Sequence, residues 1–173
     1  MLRTVNVLRH LSRHDGLTGV LNRRAFEEAL RDEWLRARRG GGAFSVVLLD
    51  LDHFKQVNDR LGHQAGDLAL AHAAQQLKAV ARGSDLVARY GGEEFALVLP
   101  DVDAEGAAAA AQRLLQRLRS TPLKVGEAEL VVTASAGVAQ CSSADLDDHE
   151  ALRRADAALY RAKAEGRDRV QIA

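Results

Sequence analysis

Leu86-Val87-Ala88-Arg89-Tyr90-Gly91-Gly92-Glu93-Glu94-Phe95-Ala96-Leu97-Val98-Leu99 reads as two apolar strand-like runs, 86–90 and 95–99, joined by a short glycine-rich loop. That loop has the length and composition of a hairpin turn, and it presents two carboxylates at its tip. Upstream, the run from Phe44 to Leu49 is bounded by Gly40-Gly41-Gly42 and by Asp50, and reads as a buried central strand with Asp50 at its C-terminal end. Helical spacing lies between and around these strands. Asn22 is a good N-cap for a helix carried by Phe26, Leu30, Trp34 and Ala37. A long helix follows Asp50, with Leu70, Ala74, Leu77 and Ala81 on one face and Gly83 as its expected C-cap. Ala107, Ala111, Leu114 and Leu118 mark another helix, ended by Thr121-Pro122. Lys124-Val125 and the run Leu130 to Ala139 then read as a second hairpin turning at Gly126-Glu127. Leu152, Ala155, Leu159 and Ala162 mark a last helix stopped by Gly166, with a final edge strand over Arg169 to Ile172. This order contains a βαββαβ core, the ferredoxin-like arrangement within the α/β (α+β) class, a sheet with helices packed on one face, here flanked by further helices and an extra hairpin.

The chain has 173 residues, 24 Lys plus Arg against 24 Asp plus Glu, and 47% hydrophobic residues. That length fits one domain, and the composition supports a buried core rather than disorder. Zero net charge argues against nucleic acid or an anionic membrane as a bulk electrostatic partner, so an anionic ligand requires a local cluster. A single cysteine, Cys141, allows no internal disulfide and fits a reducing, cytoplasmic setting. Polar residues interrupt every apolar run in Met1 to His10, so neither a signal-peptide core nor membrane insertion is expected. Leu2, Val5, Leu8 and Leu11 recur at every third position, which reads as a short amphipathic lead-in or a frayed terminus over residues 1–14, ahead of a domain spanning 15–173.

The chemistry concentrates in Asp50-Leu51-Asp52-His53-Phe54-Lys55 and in the Gly91-Gly92-Glu93-Glu94 turn. If the hairpin lies beside the central strand, Asp50 and Glu93 converge. Carboxylates that close repel unless a hard divalent cation bridges them, and Mg²⁺ accepts one or two carboxylates together with substrate phosphates. Gly91 and Gly92 leave the backbone open to a ligand, and Lys55 offers a point charge to phosphate oxygens. Residue chemistry alone leaves other roles open: Asp52 as the cap of the next helix, and Glu93 and Glu94 as solvated turn residues. The remaining histidines, His10, His14, His72 and His149, show no metal-ligand spacing and read as surface or packing residues.

Gly91-Gly92-Glu93-Glu94-Phe95 resembles the signature of the GGDEF family in its Glu variant. Three further stretches resemble that family in the expected order: Asp15-Gly16-Leu17-Thr18-Gly19-Val20-Leu21-Asn22-Arg23-Arg24, then Asp50 through Asp67, then Ala157 through Arg167. The resemblance implies a fold like that of nucleotidyl cyclases and polymerase palm domains. It also implies a diguanylate cyclase, which joins two GTP molecules into cyclic di-GMP with release of two pyrophosphates, using Mg²⁺ or Mn²⁺. Asp50, Glu93 and the carbonyl of Leu51 are then the metal ligands. Glu93 helps to deprotonate the attacking hydroxyl, Glu94 is a further active-site acid, and Lys55 stabilises phosphate charge. Asn58, His63 and Asp67 line the guanine pocket, Gly91 and Gly92 admit the nucleotide, and Lys163 with Arg167 clamps the triphosphate.

Because one domain binds one GTP and the product joins two, the resemblance implies a homodimer, brought together by an upstream sensory or receiver domain in a longer parent chain. Arg82-Gly83-Ser84-Asp85 stands where the family carries an RxxD inhibitory site for the product, with Arg113 as a second arginine supplied by the partner protomer. The alternative is a non-catalytic receptor that binds cyclic di-GMP through Arg82 and Asp85. One departure from the family pattern is Asp168, where Asn is usual after the Gly-Arg pair.

Overall fold

The computed structural model describes residues 13–173. The helix expected over Leu2 to Leu11 lies outside them. Five helices and seven strands follow in the order α1 (Arg23–Arg38), β1 (Phe44–Leu51), α2 (Phe54–Leu61), α3 (His63–Val80), β2 (Leu86–Arg89), β3 (Glu94–Pro100), α4 (Ala104–Ser120), β4 (Leu123–Val125), β5 (Ala128–Leu130), β6 (Ala134–Cys141), α5 (Glu150–Ala164) and β7 (Val170–Ile172).

The strands form a five-stranded sheet in the order β2-β3-β1-β6-β7, with β4 and β5 as a separate ribbon. β1 is the centre of the sheet and is buried along its whole length, as an apolar run paired on both edges must be. It runs antiparallel to β3 and β6, while β7 adds parallel to β6. Together β1, α3, β2, β3, α4 and β6 make the ferredoxin-like βαββαβ core. Strand alternation divides the core in two. Val47, Leu49, Phe95 and Leu97 pack under α3 and α4, whereas Val46, Leu48, Ala96 and Val98 pack under α1 and α5. Helices therefore cover both faces, not the one face of the ferredoxin-like expectation, because β1 and β3 carry apolar residues on both sides and α1 and α5 bury the second. The segment at Leu21 covers the outer edge of β2, where its amide donates to Val87 O at 3.0 Å and its carbonyl accepts from the Arg89 amide at 2.8 Å.

Asn22 caps α1 as expected, its side chain accepting from the Ala25 amide at 3.0 Å. Three local expectations need correction. The single long helix after Asp50 is two helices, because Gly62 at φ 87° takes a backbone conformation that few other residues adopt and turns the chain between α2 and α3. The C-cap of α3 is Ala81 rather than Gly83. The run Leu130 to Ala139 is not one strand: Leu130 ends the ribbon, and Ala134 begins pairing with Leu51 in the main sheet. No helix among the described residues is long and apolar enough to cross a membrane.

Candidate active site

Antiparallel pairing sets Asp50, at the end of β1, directly opposite Glu94, the first residue of β3. The Leu51 amide donates to the Glu93 carbonyl at 3.2 Å, so the hairpin turn is tied to the strand end that precedes it. Asp50, Leu51 and Glu93 are thereby brought together, as the sequence suggested. From the far end of the chain, Lys163 on α5 places Nζ 3.0 Å from Asp50 Oδ2. α5 crosses the sheet closely because Gly137 on β6 lacks a side chain: a Cβ there would meet the Ala155 carbonyl and the Leu159 amide.

The electrostatics are those of a site short of positive charge. Burial pushes the Asp50 carboxyl above its ordinary value, against the opposing pull of Lys163. Glu93 is raised too, by burial and then by the negative charge of Asp50. Carboxylates under this mutual stress, beside a backbone carbonyl, form a hard oxygen set that suits Mg²⁺ or Mn²⁺, which would relieve both shifts. Asp50, Glu93 and Leu51 O are the groups that would hold it. Asp147, Asp148 and His149 also bring ligand atoms close together, a grouping that histidine spacing alone did not reveal. These groups already have partners, since His149 Nδ1 lies 2.9 Å from Asp148 and Asp147 pairs with Arg153 at 3.0 Å.

Glu94 folds back beneath Gly91, where a Cβ would meet its Oε2, and faces a 470 Å³ cavity shared with Leu48, Tyr90, Leu152 and Asp156. Gly92 is exposed at the turn tip. Lys55 and Asn58 share one face of α2, and exposed His63 and Asp67 share one face of the first turn of α3. The Gly62 bend lies between the two pairs. Asn58 leans onto Gly66, whose missing side chain leaves the space that the Asn58 amide occupies. Arg167 lies exposed just past α5, and its charge acts on Asp50.

Residues not anticipated from sequence hold this arrangement. Arg89 donates to the Gly92 carbonyl from Nε at 3.2 Å and from Nη2 at 2.8 Å, while Nη1 reaches both oxygens of Asp15 at 3.3 Å. The Gly91–Glu94 turn is thus bolted to the segment that enters the domain. Asp52 does not cap α2. The cap position is His53, at φ 54° with no side-chain bond to the helix, and Asp52 is buried among Thr133, Ser135 and the Asp168 amide. A carboxylate two residues beyond Asp50 was visible in the sequence; its partners, more than eighty residues away, were not.

A second cavity of 580 Å³ lies away from the carboxylates, lined by Arg82, Asp85, Asp101, Asp103 and Arg113 among others. Asp85 Oδ2 accepts from the Arg82 amide at 2.7 Å, and buried Asp85 Oδ1 has no hydrogen-bond partner among the described residues. Arg113 on α4 lines this cavity together with Arg82 and Asp85.

The fold and the paired strand ends carrying acids define a nucleotidyl-cyclase-like domain. Residues 12–169 match the family described as "Diguanylate cyclase, GGDEF domain", and the chain belongs to that family. It is 39% identical over 166 residues to the probable diguanylate cyclase DgcC of Escherichia coli K12, a match covering 96% of this chain and 44% of that protein. It is 42% identical over 163 residues to the diguanylate cyclase DgcP of Pseudomonas aeruginosa, covering 92% of this chain and 24% of that one. The chain therefore spans less than half the length of these curated relatives. Among solved structures, the coiled coil and GGDEF domain of DgcB from Caulobacter crescentus, in complex with c-di-GMP, superposes with a TM-score of 0.93 at 34% identity, covering 99% of this chain and 91% of that one.

Proposed function

We propose that this domain is a diguanylate cyclase, condensing two GTP into cyclic di-GMP and two pyrophosphates across a homodimer. The observation that carries the reading is the convergence of Asp50, Glu93 and Lys163 at the end of the central strand, with Lys163 Nζ 3.0 Å from Asp50. Mg²⁺ or Mn²⁺ held by Asp50, Glu93 and Leu51 O would supply charge neutralisation for the triphosphate and its leaving pyrophosphate. Glu93, in the hairpin turn tied to the end of β1, is placed to take the proton of the 3′-hydroxyl brought by the other protomer. As each 3′-oxygen bonds to an α-phosphorus, the bond from that phosphorus to pyrophosphate breaks. Lys55, Lys163 and Arg167 hold phosphate oxygens, a job of positioning and charge rather than covalent chemistry. Asp67 and Asn58 read guanine, whose N1–H and amino donors match a carboxylate in a way that adenine does not.

Product inhibition follows from the 580 Å³ cavity, where Arg82 and Arg113 meet phosphate and the unpartnered Asp85 oxygen meets a guanine edge. That same oxygen favours the second reading, a cyclic di-GMP receptor without catalysis. Incubation with GTP and Mg²⁺, followed by chromatography for cyclic di-GMP, separates the two. The cyclase reading expects product from the unaltered chain, none from Glu93→Gln, and specific activity that falls on dilution. Absence of product at high protein concentration leaves the receptor. Specific activity that is constant on dilution refutes the dimer requirement.

A further inference from the structure

The turn joining α5 to β7 has three successive residues at positive φ: Gly166 at 116°, Arg167 at 65° and Asp168 at 47°. Glycine adopts that region without steric cost; the Arg167 amide is held locally, donating to the Ala162 carbonyl at 3.0 Å, and Asp168 is held by contacts from elsewhere. The Asp168 amide donates to Asp52 Oδ2 at 3.1 Å, and the Asp168 carboxylate lies 2.9 Å from Arg119 Nη1 at the end of α4. Asp52 is itself immobilised. It is only 9% exposed, accepts from Thr133 Oγ1 at 2.9 Å and from Ser135 Oγ at 2.7 Å, and continues directly from the strand end that carries Asp50.

We propose that Asp52 is a positioning residue for the triphosphate: its buried carboxylate fastens the Gly166-Arg167-Asp168 turn to the end of β1, fixing Arg167 relative to Asp50. This rests on the reading of Arg167 as part of the triphosphate clamp. Oδ2 takes two donors, the Thr133 hydroxyl and the Asp168 amide, and Oδ1 takes the Ser135 hydroxyl, which can also turn to accept. Asp168, where the family usually has Asn, also brings its carboxylate within ion-pair distance of Arg119, a charge contact that a neutral side chain does not supply.

Calorimetric titration with a Mg²⁺-bound non-hydrolysable GTP analogue and, separately, with GMP tests the proposal. Asp52→Ala is expected to weaken the GTP analogue by about tenfold, the scale of one charge-assisted phosphate contact, and to leave GMP unchanged. Asp52→Asn keeps an acceptor for Thr133 and Asp168, and Ser135 can rotate to accept, so it should restore affinity. Once Arg167→Ala is present, adding Asp52→Ala should cost nothing further. Equal losses for GTP analogue and GMP, or additive losses in the double variant, overturn the positioning role while the clamp stands. If Arg167→Ala itself leaves the preference for the triphosphate intact, the clamp reading fails and the proposal with it. Should Asp52→Ala not fold, Asp52→Glu, which pushes the turn outward by one methylene, must show the same selective loss; unchanged affinity there also overturns the proposal.

Discussion

Replacing Gly137 by alanine puts a methyl group where α5 crosses β6. A Cβ at this position meets the Ala155 carbonyl oxygen and the Leu159 amide nitrogen, and lies 3.0 Å from Leu159 Cα. Carbon atoms settle at about 3.5–4.0 Å, so that Cα alone must retreat by about 0.5–1 Å, and the two nearer atoms demand more. All three are backbone, so no side chain can swing aside and the helix itself must move. Overpacking of this kind costs about 1–3 kcal/mol, and the rigidity of the obstacle places Gly137→Ala at the upper end. For a domain of this size that lowers the melting temperature by about 6–12 °C. Because α5 carries Lys163, the 3.0 Å contact to Asp50 opens as well, and affinity for Mg²⁺-bound GTP falls. Denaturant unfolding and calorimetric titration measure the two effects. Gly16→Ala, at a site with open space around the added methyl, serves as the control and should stay within about 0.5 kcal/mol of the parent. Gly137→Ala as stable as this control, with unaltered nucleotide affinity, refutes the reasoning.

Gly66→Ala should displace the Asn58 amide and crowd Phe54 Cζ, 3.2 Å away, raising the KM for GTP by about tenfold in steady-state assays with little loss of stability. Asp15 carries a pH signature: burial raises its carboxyl, but bonds from the Thr18 hydroxyl and amide and the Arg89 charge outweigh burial and lower it. A lowered carboxylate stabilises the fold fully above its unfolded pKa and loses that contribution as pH falls through the folded value. The stability gap between the parent and Asp15→Asn should therefore be widest near neutral pH and shrink in acid, as read by urea unfolding over a pH series; a gap independent of pH contradicts the pairing. Arg82→Ala should leave the initial rate unchanged while raising by about tenfold the cyclic di-GMP concentration that halves it. Unaltered inhibition removes Arg82 from the product site.

Elements set by local chemistry were legible in the sequence. The hairpin at Gly91-Gly92-Glu93-Glu94, the buried run of β1 and the Asn22 cap each depend on residues within a few positions of one another. The α2–α3 break was not legible, because apolar spacing continues on both sides of Gly62 and only its φ of 87° interrupts the helix. The division of Leu130 to Ala139 was hidden for another reason: uniform apolar character does not say which strand is the partner, and β4 claims one end while β1 claims the other. In the site, Asp50 and Glu93 stood out as acids at predicted strand ends. Arg89 did not, since an arginine ending a short strand looks like any solvated residue until Asp15 and Gly92 are seen around it.

The sequence by itself determined the alternation of strands and helices, the acidic turn, the motifs of the family and a charge balance that leaves ligand recognition to local clusters. Only the tertiary structure decided which charges meet. Lys163 reaches Asp50, Asp168 hangs from Asp52 across 116 positions of chain, and Arg113 joins Arg82 and Asp85 around one cavity. Local pattern follows from backbone geometry within a turn or a strand. These meetings follow from which strands pair and which helix crosses which face, and that is settled by burying the whole core at once.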